Sequence, residues 1–137
     1  MTRYIDTHIH LDLLAEPALR LQEAEEVGVG AWVVPGVAPE QWSQVLATSE
    51  LHEQVYLAPG FHPQAAGSFQ KASLNELRQL LSHERAVAIG EVGLDRQIDV
   101  SWQQQEELFI AMVRLAREME KPLLIHTRRS TARLLEL

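Results

Sequence analysis

Short apolar runs recur along the chain at Tyr4-Ile5, Ala31-Trp32-Val33-Val34, Val55-Tyr56-Leu57-Ala58, Val87-Ala88-Ile89 and Leu123-Leu124-Ile125, each bounded by Gly, Pro or a polar residue. This pattern predicts five buried strands. Between the runs the apolar positions take on a helical spacing, at Leu74, Leu77, Leu80 and Leu81 in one stretch and at Phe109, Met112, Val113, Ala116 and Met119 in another. Pro17 and Pro39 stand where a first helical turn begins, Gly28 follows Ala18 to Val27 as a stop, and Ser73 is placed to cap its helix. The order is β-α repeated. It implies an α/β fold, a parallel sheet covered by helices with strand cores buried on both faces.

A strand begins about every 25 to 35 residues, the size of one βα unit. Five units would suit a doubly wound sheet, whereas a (β/α)8 barrel takes eight units and typically about 250 residues. Ser130 reads as an N-cap, and Thr131 to Leu137 continues with good helix formers but without Gly, Pro or a polar tail. The chain therefore reads as ending in mid-helix. Nothing in its 137 residues marks a repeat, a linker or a second domain.

With 46% apolar and 23% charged residues, composition is that of an ordinary globular domain. No window approaches the roughly 18 uninterrupted apolar residues of a membrane span. Met1-Thr2-Arg3-Tyr4-Ile5-Asp6 leads into charged and histidine residues, not an apolar signal core, so a cytoplasmic location is expected. There is no cysteine, so any metal must be held by His, Asp, Glu or water. A net charge of −7 disfavours a broad basic groove for duplex nucleic acid.

Polar residues gather just after the predicted strands: His8 and His10, Gly60-Phe61-His62-Pro63, Gly90-Glu91-Val92-Gly93 and His126-Thr127-Arg128. In parallel α/β folds that carboxyl edge is where ligands bind. His52 and His83, beside Glu53 and Glu84, read as solvated surface histidines. In His8-Ile9-His10 an extended backbone turns both imidazoles to one side and Ile9 into the packing. A lone His-x-His is more often a pair of core or capping histidines. Here Glu91 falls at the same edge in an apolar setting, where its charge needs a partner, and His126 falls there too. His8, His10, Glu91 and His126 are thus candidate ligands of a metal.

The ordered set of motifs resembles the TatD-type metal-dependent deoxyribonucleases, metallo-dependent hydrolases built on a TIM barrel. The resemblance runs through Ile5-Asp6-Thr7-His8-Ile9-His10-Leu11-Asp12, Gly60-Phe61-His62-Pro63, Gly90-Glu91-Val92-Gly93-Leu94-Asp95 and the stretch from Gln103 to Lys121-Pro122-Leu123-Leu124-Ile125-His126-Thr127-Arg128. The chain departs from the pattern at Gln64, where the family often has a second histidine. The resemblance implies that this chain supplies about the first five βα units of a (β/α)8 barrel. It also implies two divalent ions, magnesium, manganese or zinc: His8 and His10 would bind one, Glu91 would bridge both and position the water, and His126 would bind the second. A further histidine and an aspartate of the family pattern fall beyond Leu137, and with that aspartate goes the general base.

The implied reaction is metal-assisted hydrolysis of DNA phosphodiesters, probing exposed ends or single strands as an exonuclease does. His62, in its Gly-x-His-Pro turn, and Arg128, with its forked guanidinium, are candidates to touch substrate phosphate; a turn-stabilising histidine and a surface arginine are the alternatives. Asp6, Asp12 and Asp95 are read as loop or capping residues sooner than as partners that orient the ligating histidines. Trp32, Trp42 and Trp102 are expected in helix–sheet packing. Other functions compatible with the residues are hydrolysis of a non-DNA ester or amide, and a non-catalytic metal-binding half-barrel or interaction module. Five strands of an open barrel would leave unpaired edges, so self-association is expected.

Overall fold

In the computed structural model, residues 4–137 are described; Met1-Thr2-Arg3, the start of the segment read above for a signal, lie outside them. Five parallel strands alternate with helices: β1 (Tyr4–Asp6), α1 (Pro17–Glu26), β2 (Val29–Pro35), α2 (Pro39–Thr48), β3 (Val55–Ala58), α3 (Ser73–Leu81), β4 (Ile89–Asp95), α4 (Trp102–Glu118), β5 (Leu123–Arg128) and α5 (Thr131–Glu136). Short 3-10 turns at Leu11–Leu13 and Pro63–Ser68 follow β1 and β3. Pro17 and Pro39 open α1 and α2, and Gly28 ends the first helical segment at a φ of 96°.

The strands lie side by side in chain order, β1-β2-β3 in one ladder and β4-β5 in another. A bridge between Leu57 and Ala86 joins the ladders, and Gly36 closes the seam by donating to Gly90 O (3.0 Å) and accepting from Glu91 N (2.8 Å). A doubly wound sheet reverses its strand order partway, and this one does not. The order runs in sequence from β1 to β5.

Helices cover one face. Trp32 and Val34 of β2 with Val55 and Leu57 of β3 pack under α1 and α2, and Ile89, Val92 and Leu94 of β4 pack with Leu77, Leu108 and Met112 under α3 and α4. The other face carries only a small apolar cluster of Val33, Ala58 and Ala88. Burial on both faces thus holds for β2 to β4 and fails at the two edges. Tyr4 and Ile5 of β1 are more than half exposed, and Ile125 of β5 is nearly so, because neither strand has an outer neighbour.

Two strands extend further than their apolar runs. β4 begins at Ile89, not Val87, and contains Gly90-Glu91-Val92-Gly93; β5 contains His126, Thr127 and Arg128. The polar and glycine residues expected after these strands are therefore within them. Ser73 is the first residue of α3, with no side-chain cap bond, and Ser130 stands at the N-cap of α5 but donates to Leu94 O (2.6 Å) instead of capping. Trp32 and Trp42 are core residues, whereas Trp102 is half-buried beneath Arg96.

The register of β4 shifts between Ile89 and Val92. Strand side chains alternate faces, so a regular strand would put Glu91 on the same side as Ile89, in the helix-facing core. The irregularity restores Ile89, Val92 and Leu94 to that core and turns Glu91 to the opposite face. Gly93 follows at a φ of 154°, and a Cβ there would lie 1.8 Å from His126 O. Only glycine lets β5 come this close. Gly93→Ala should lower stability by about 3 kcal/mol or more in urea titrations. Gly67→Ala, whose Cβ meets nothing within 4 Å, should stay within about 1 kcal/mol.

Candidate metal centre

The segments after β1 and β3, together with β5, bring histidines to a cluster around Glu91 of β4. Beyond β1, Asp6 accepts from His8 N (3.1 Å) and Ile9 N donates to Val33 O (3.1 Å), so the segment stays docked on β2 after β1 has ended. Ile9 packs into the outer core and the two imidazoles turn the other way, edge to face with ring centroids 5.2 Å apart. His8 Nε2 lies 3.4 Å and His10 Nε2 3.7 Å from the same carboxylate oxygen, Glu91 Oε2. The second oxygen, Oε1, faces His126 Nδ1 at 2.8 Å.

His62 completes the ring of imidazoles, 4.4 Å from His126 between centroids. The loop that carries it is held by Trp42, whose buried indole donates to Gly60 O (3.1 Å) and meets Phe61 edge to face. Two groups of three ligand atoms result, His8-His10-Glu91 and His62-Glu91-His126, each within a 4.8 Å span. Glu91 belongs to both.

Chemistry separates the histidines. His62 Nδ1 accepts a hydrogen bond from Gln64 N (3.1 Å), which leaves the proton of the neutral ring on Nε2. A nitrogen bearing a proton is a donor, not a metal ligand. Burial, with the His126 ring second, holds the His62 imidazolium below its ordinary range against the pull of Glu91 and Asp95, so the neutral donor form persists to lower pH. His126 is placed differently. Its Nε2 faces Asp95 Oδ2 at 3.0 Å, and with that carboxylate accepting the Nε2 proton, Nδ1 is free to share a cation with Glu91.

Asp95 is itself fixed from behind. Burial alone would raise its carboxyl, but Gln97 N–H, His126 and the charge of Arg128 outweigh it and hold the carboxyl below the usual range. Gln105, buried in α4, clamps the Asp95 backbone by accepting from its N–H (2.9 Å) and donating to its carbonyl (3.1 Å). The reading of Asp95 as a loop residue is thus half of the account: Oδ1 makes the loop bond to Gln97 N and Oδ2 orients a histidine. Asp12 is sequestered beside His10, its Oδ1 without a hydrogen-bond partner and 4.0 Å from His10 Nδ1. Asp6 keeps its loop role. Gln105 was invisible in the sequence; a glutamine on the apolar face of a helix is the one signal that marks it.

Arg128 is exposed at the rim and the structure does not bring it into the triads. Away from the cluster, His52 is not a solvated histidine: it is half-buried, with Nε2 3.2 Å from Glu25 and its ring edge-on to Trp32. His83 is likewise half-buried, accepting from Arg85 N (3.2 Å).

A carboxylate nearly out of water, with imidazole nitrogens facing both oxygens and no thiolate in reach, is a donor set suited to divalent cations of the zinc, manganese or magnesium kind. The residues present fit such an ion.

The uncharacterized metal-dependent hydrolase YjjV of Escherichia coli K12 is 35% identical over 134 residues, 93% of this chain and 52% of that protein. The 3'-5' ssDNA/RNA exonuclease TatD of Cronobacter sakazakii is 32% identical over 118 residues, 85% of this chain and 45% of that protein. The crystal structure of the E. coli YjjV TatD homolog superposes with a TM-score of 0.88 at 34% identity, over 98% of this chain and 54% of that one. A hydrolase TatD family protein of Entamoeba histolytica shares the fold, with a TM-score of 0.85 at 20% identity over 98% of this chain and 52% of that one. The chain spans about half the length of the curated relatives it matches. Residues 5–137 match the TatD related DNase family, and the chain belongs to it.

Proposed function

We propose that residues 1–137 form the N-terminal part of one (β/α)8 barrel domain, about its first five βα units, and that this barrel hydrolyses DNA phosphodiesters in the cytoplasm with two divalent cations. The observation that carries the reading is Glu91, whose Oε2 faces His8 and His10 while its Oε1 faces His126. His8 and His10 with Glu91 would hold one cation, and His126 with Glu91 the other. Magnesium, manganese or zinc bound there would supply an acidified water and neutralise charge on the phosphate and the leaving oxygen. Asp95 would keep His126 oriented toward the site, and His62 would donate a hydrogen bond from Nε2–H to a phosphate oxygen. Arg128 adds a charge at the rim.

A net charge of −7 fits local neutralisation at the centre better than a long basic groove. Exposed ends or single strands are the substrates such a site reaches, in keeping with relatives named as 3'-5' ssDNA/RNA exonucleases. No helix of the described residues is long and apolar enough to cross a membrane. The exposed edges β1 and β5 support self-association of this chain by strand pairing.

Calorimetric titration with manganese or zinc should show binding to the chain that Glu91→Ala removes, with hydrolysis of a labelled single-stranded oligonucleotide lost and the far-ultraviolet spectrum kept. Retained turnover in that variant would rule out the bridging role. Cleavage of a simple ester but of no oligonucleotide would overturn the substrate assignment alone.

His62→Asn should leave the number of bound metal ions unchanged and raise KM for an oligonucleotide by roughly tenfold, the loss of one charge-assisted hydrogen bond. A lost metal ion would make His62 a ligand. Asp95→Asn should weaken metal affinity by about 10- to 100-fold. Light scattering at micromolar concentration should show more than a monomer, and a clean monomer would end the strand-pairing proposal.

A further inference from the structure

Positive charge is scarce in this chain, 12 Lys and Arg against 19 Asp and Glu, and much of it is committed. Arg20 pairs with Glu23, Arg78 grips Glu118 through two nitrogens, and Arg133 does the same to Glu106 while also meeting Glu136. Among the described residues Arg96, Arg128 and Arg129 have no carboxylate within 4.0 Å. They nevertheless sit together. Arg96 N donates to Arg128 O (3.1 Å), and Arg129 follows directly in a left-handed conformation at φ 54°.

Arg128 acts on the Asp95 carboxylate through its charge, but Arg96 and Arg129 have no such partner among the described residues, and like charges gathered in this way are costly unless an anion joins them. A depression of about 320 Å³ lies between Arg96 and Arg129, floored by Ser130, Thr131 and Ala132 and flanked by Arg133. Glu106 and Glu136 together outweigh Arg133, so the positive charge the depression can offer comes from Arg96 and Arg129. Arg96 is also held in place: its guanidinium carbon lies 4.5 Å from the centroid of the Trp102 ring, a cation–π contact. Planar forks of this kind match phosphate oxygens.

The position relative to Glu91 gives the depression its meaning. Arg96 directly follows Asp95, which faces His126, and Arg128 pairs with Asp95 across the β4–β5 ladder. From His126 to Arg128 is two residues of strand, about 6 to 7 Å, and Arg129, which lines the depression, is the next residue of the chain. That is a step comparable to one nucleotide along a strand.

We propose that Arg96 and Arg129 form a second phosphate subsite, which takes a backbone phosphate of single-stranded nucleic acid next to the nucleotide whose ester lies at Glu91. The identity of the ligand rests on the phosphodiesterase reading above, whereas the binding itself is measured without turnover.

The probe is a fluorescent six-nucleotide oligothymidylate with phosphorothioate linkages that resist cleavage, titrated onto the manganese-loaded chain from 50 to 200 mM salt. Arg96→Ala/Arg129→Ala should bind it roughly tenfold more weakly at the low end. Its plot of log affinity against log salt should be shallower by about 0.7 for each phosphate that an arginine no longer neutralises. Arg96→Lys/Arg129→Lys should recover most of the salt slope. Lys71→Ala/Arg114→Ala, which removes equal charge on the α3–α4 side, should bind as the unaltered chain does. Trp102 emission should change on binding only where Arg96 is present.

Unchanged affinity and slope in the double alanine variant would overturn the subsite, even if the chain hydrolyses DNA. An equal loss in the Lys71/Arg114 variant would overturn it as well, by reducing the effect to overall charge. A chain that shows the predicted affinity loss but no hydrolysis would keep the subsite and remove the phosphodiesterase reading.

Discussion

The site depends on one carboxylate held nearly out of water. An ionised Glu91 on the inner face of β4 is tolerable only with positive or hydrogen-bonding partners around both oxygens. Each neighbouring feature serves that requirement. The register shift in β4 turns Glu91 away from the apolar core, Gly93 admits β5 close enough for His126 to reach Oε1, and the Ile9–Val33 bond keeps His8 and His10 over Oε2. Remove the carboxylate and three imidazoles converge on nothing.

A second layer sets which nitrogen does what. Imidazole offers one lone pair and one proton when neutral, so the partner of the far nitrogen decides whether the near one binds a cation or donates a hydrogen bond. Gln64 N–H makes His62 a donor at Nε2, and Asp95, accepting from His126 Nε2, leaves the lone pair of His126 on Nδ1. Two histidines with rings 4.4 Å apart thereby take opposite roles, through a backbone amide in one case and a carboxylate clamped by Gln105 in the other.

The clustering of these side chains was legible in the sequence because it rests on residue type and short spacing: His8-Ile9-His10 on an extended segment, Glu91 amid apolar neighbours, His126 near a strand end. The extent of the strands was less so. Glycine and polar residues interrupt an apolar run without interrupting backbone pairing, so reading by hydrophobicity stops β4 at Ile89 and β5 at Ile125, while the ladder continues to Asp95 and Arg128. Asp95 and Gln105 were harder still. Their roles arise from contacts 31 and 10 residues apart, and neither leaves a periodic trace. The exposed edges, by contrast, follow from counting strands, and the order β1 to β5 places them where the count says.

Alternation along β4 separates stability from chemistry. Val92 and Leu94 face the apolar core under α3 and α4, while Glu91, Gly93 and Asp95 occupy the positions between them on the other face. The core cluster gains nothing from the polarity of Glu91 or His126, and the site gains nothing from the identity of Val92 beyond its volume. Gly93 is the exception, since one missing Cβ sets the distance between β4 and β5 and serves both faces. The side chains clustered around Glu91 can therefore vary at small cost to the outer core, whereas Gly93 cannot change without moving His126 and the β4–β5 ladder together.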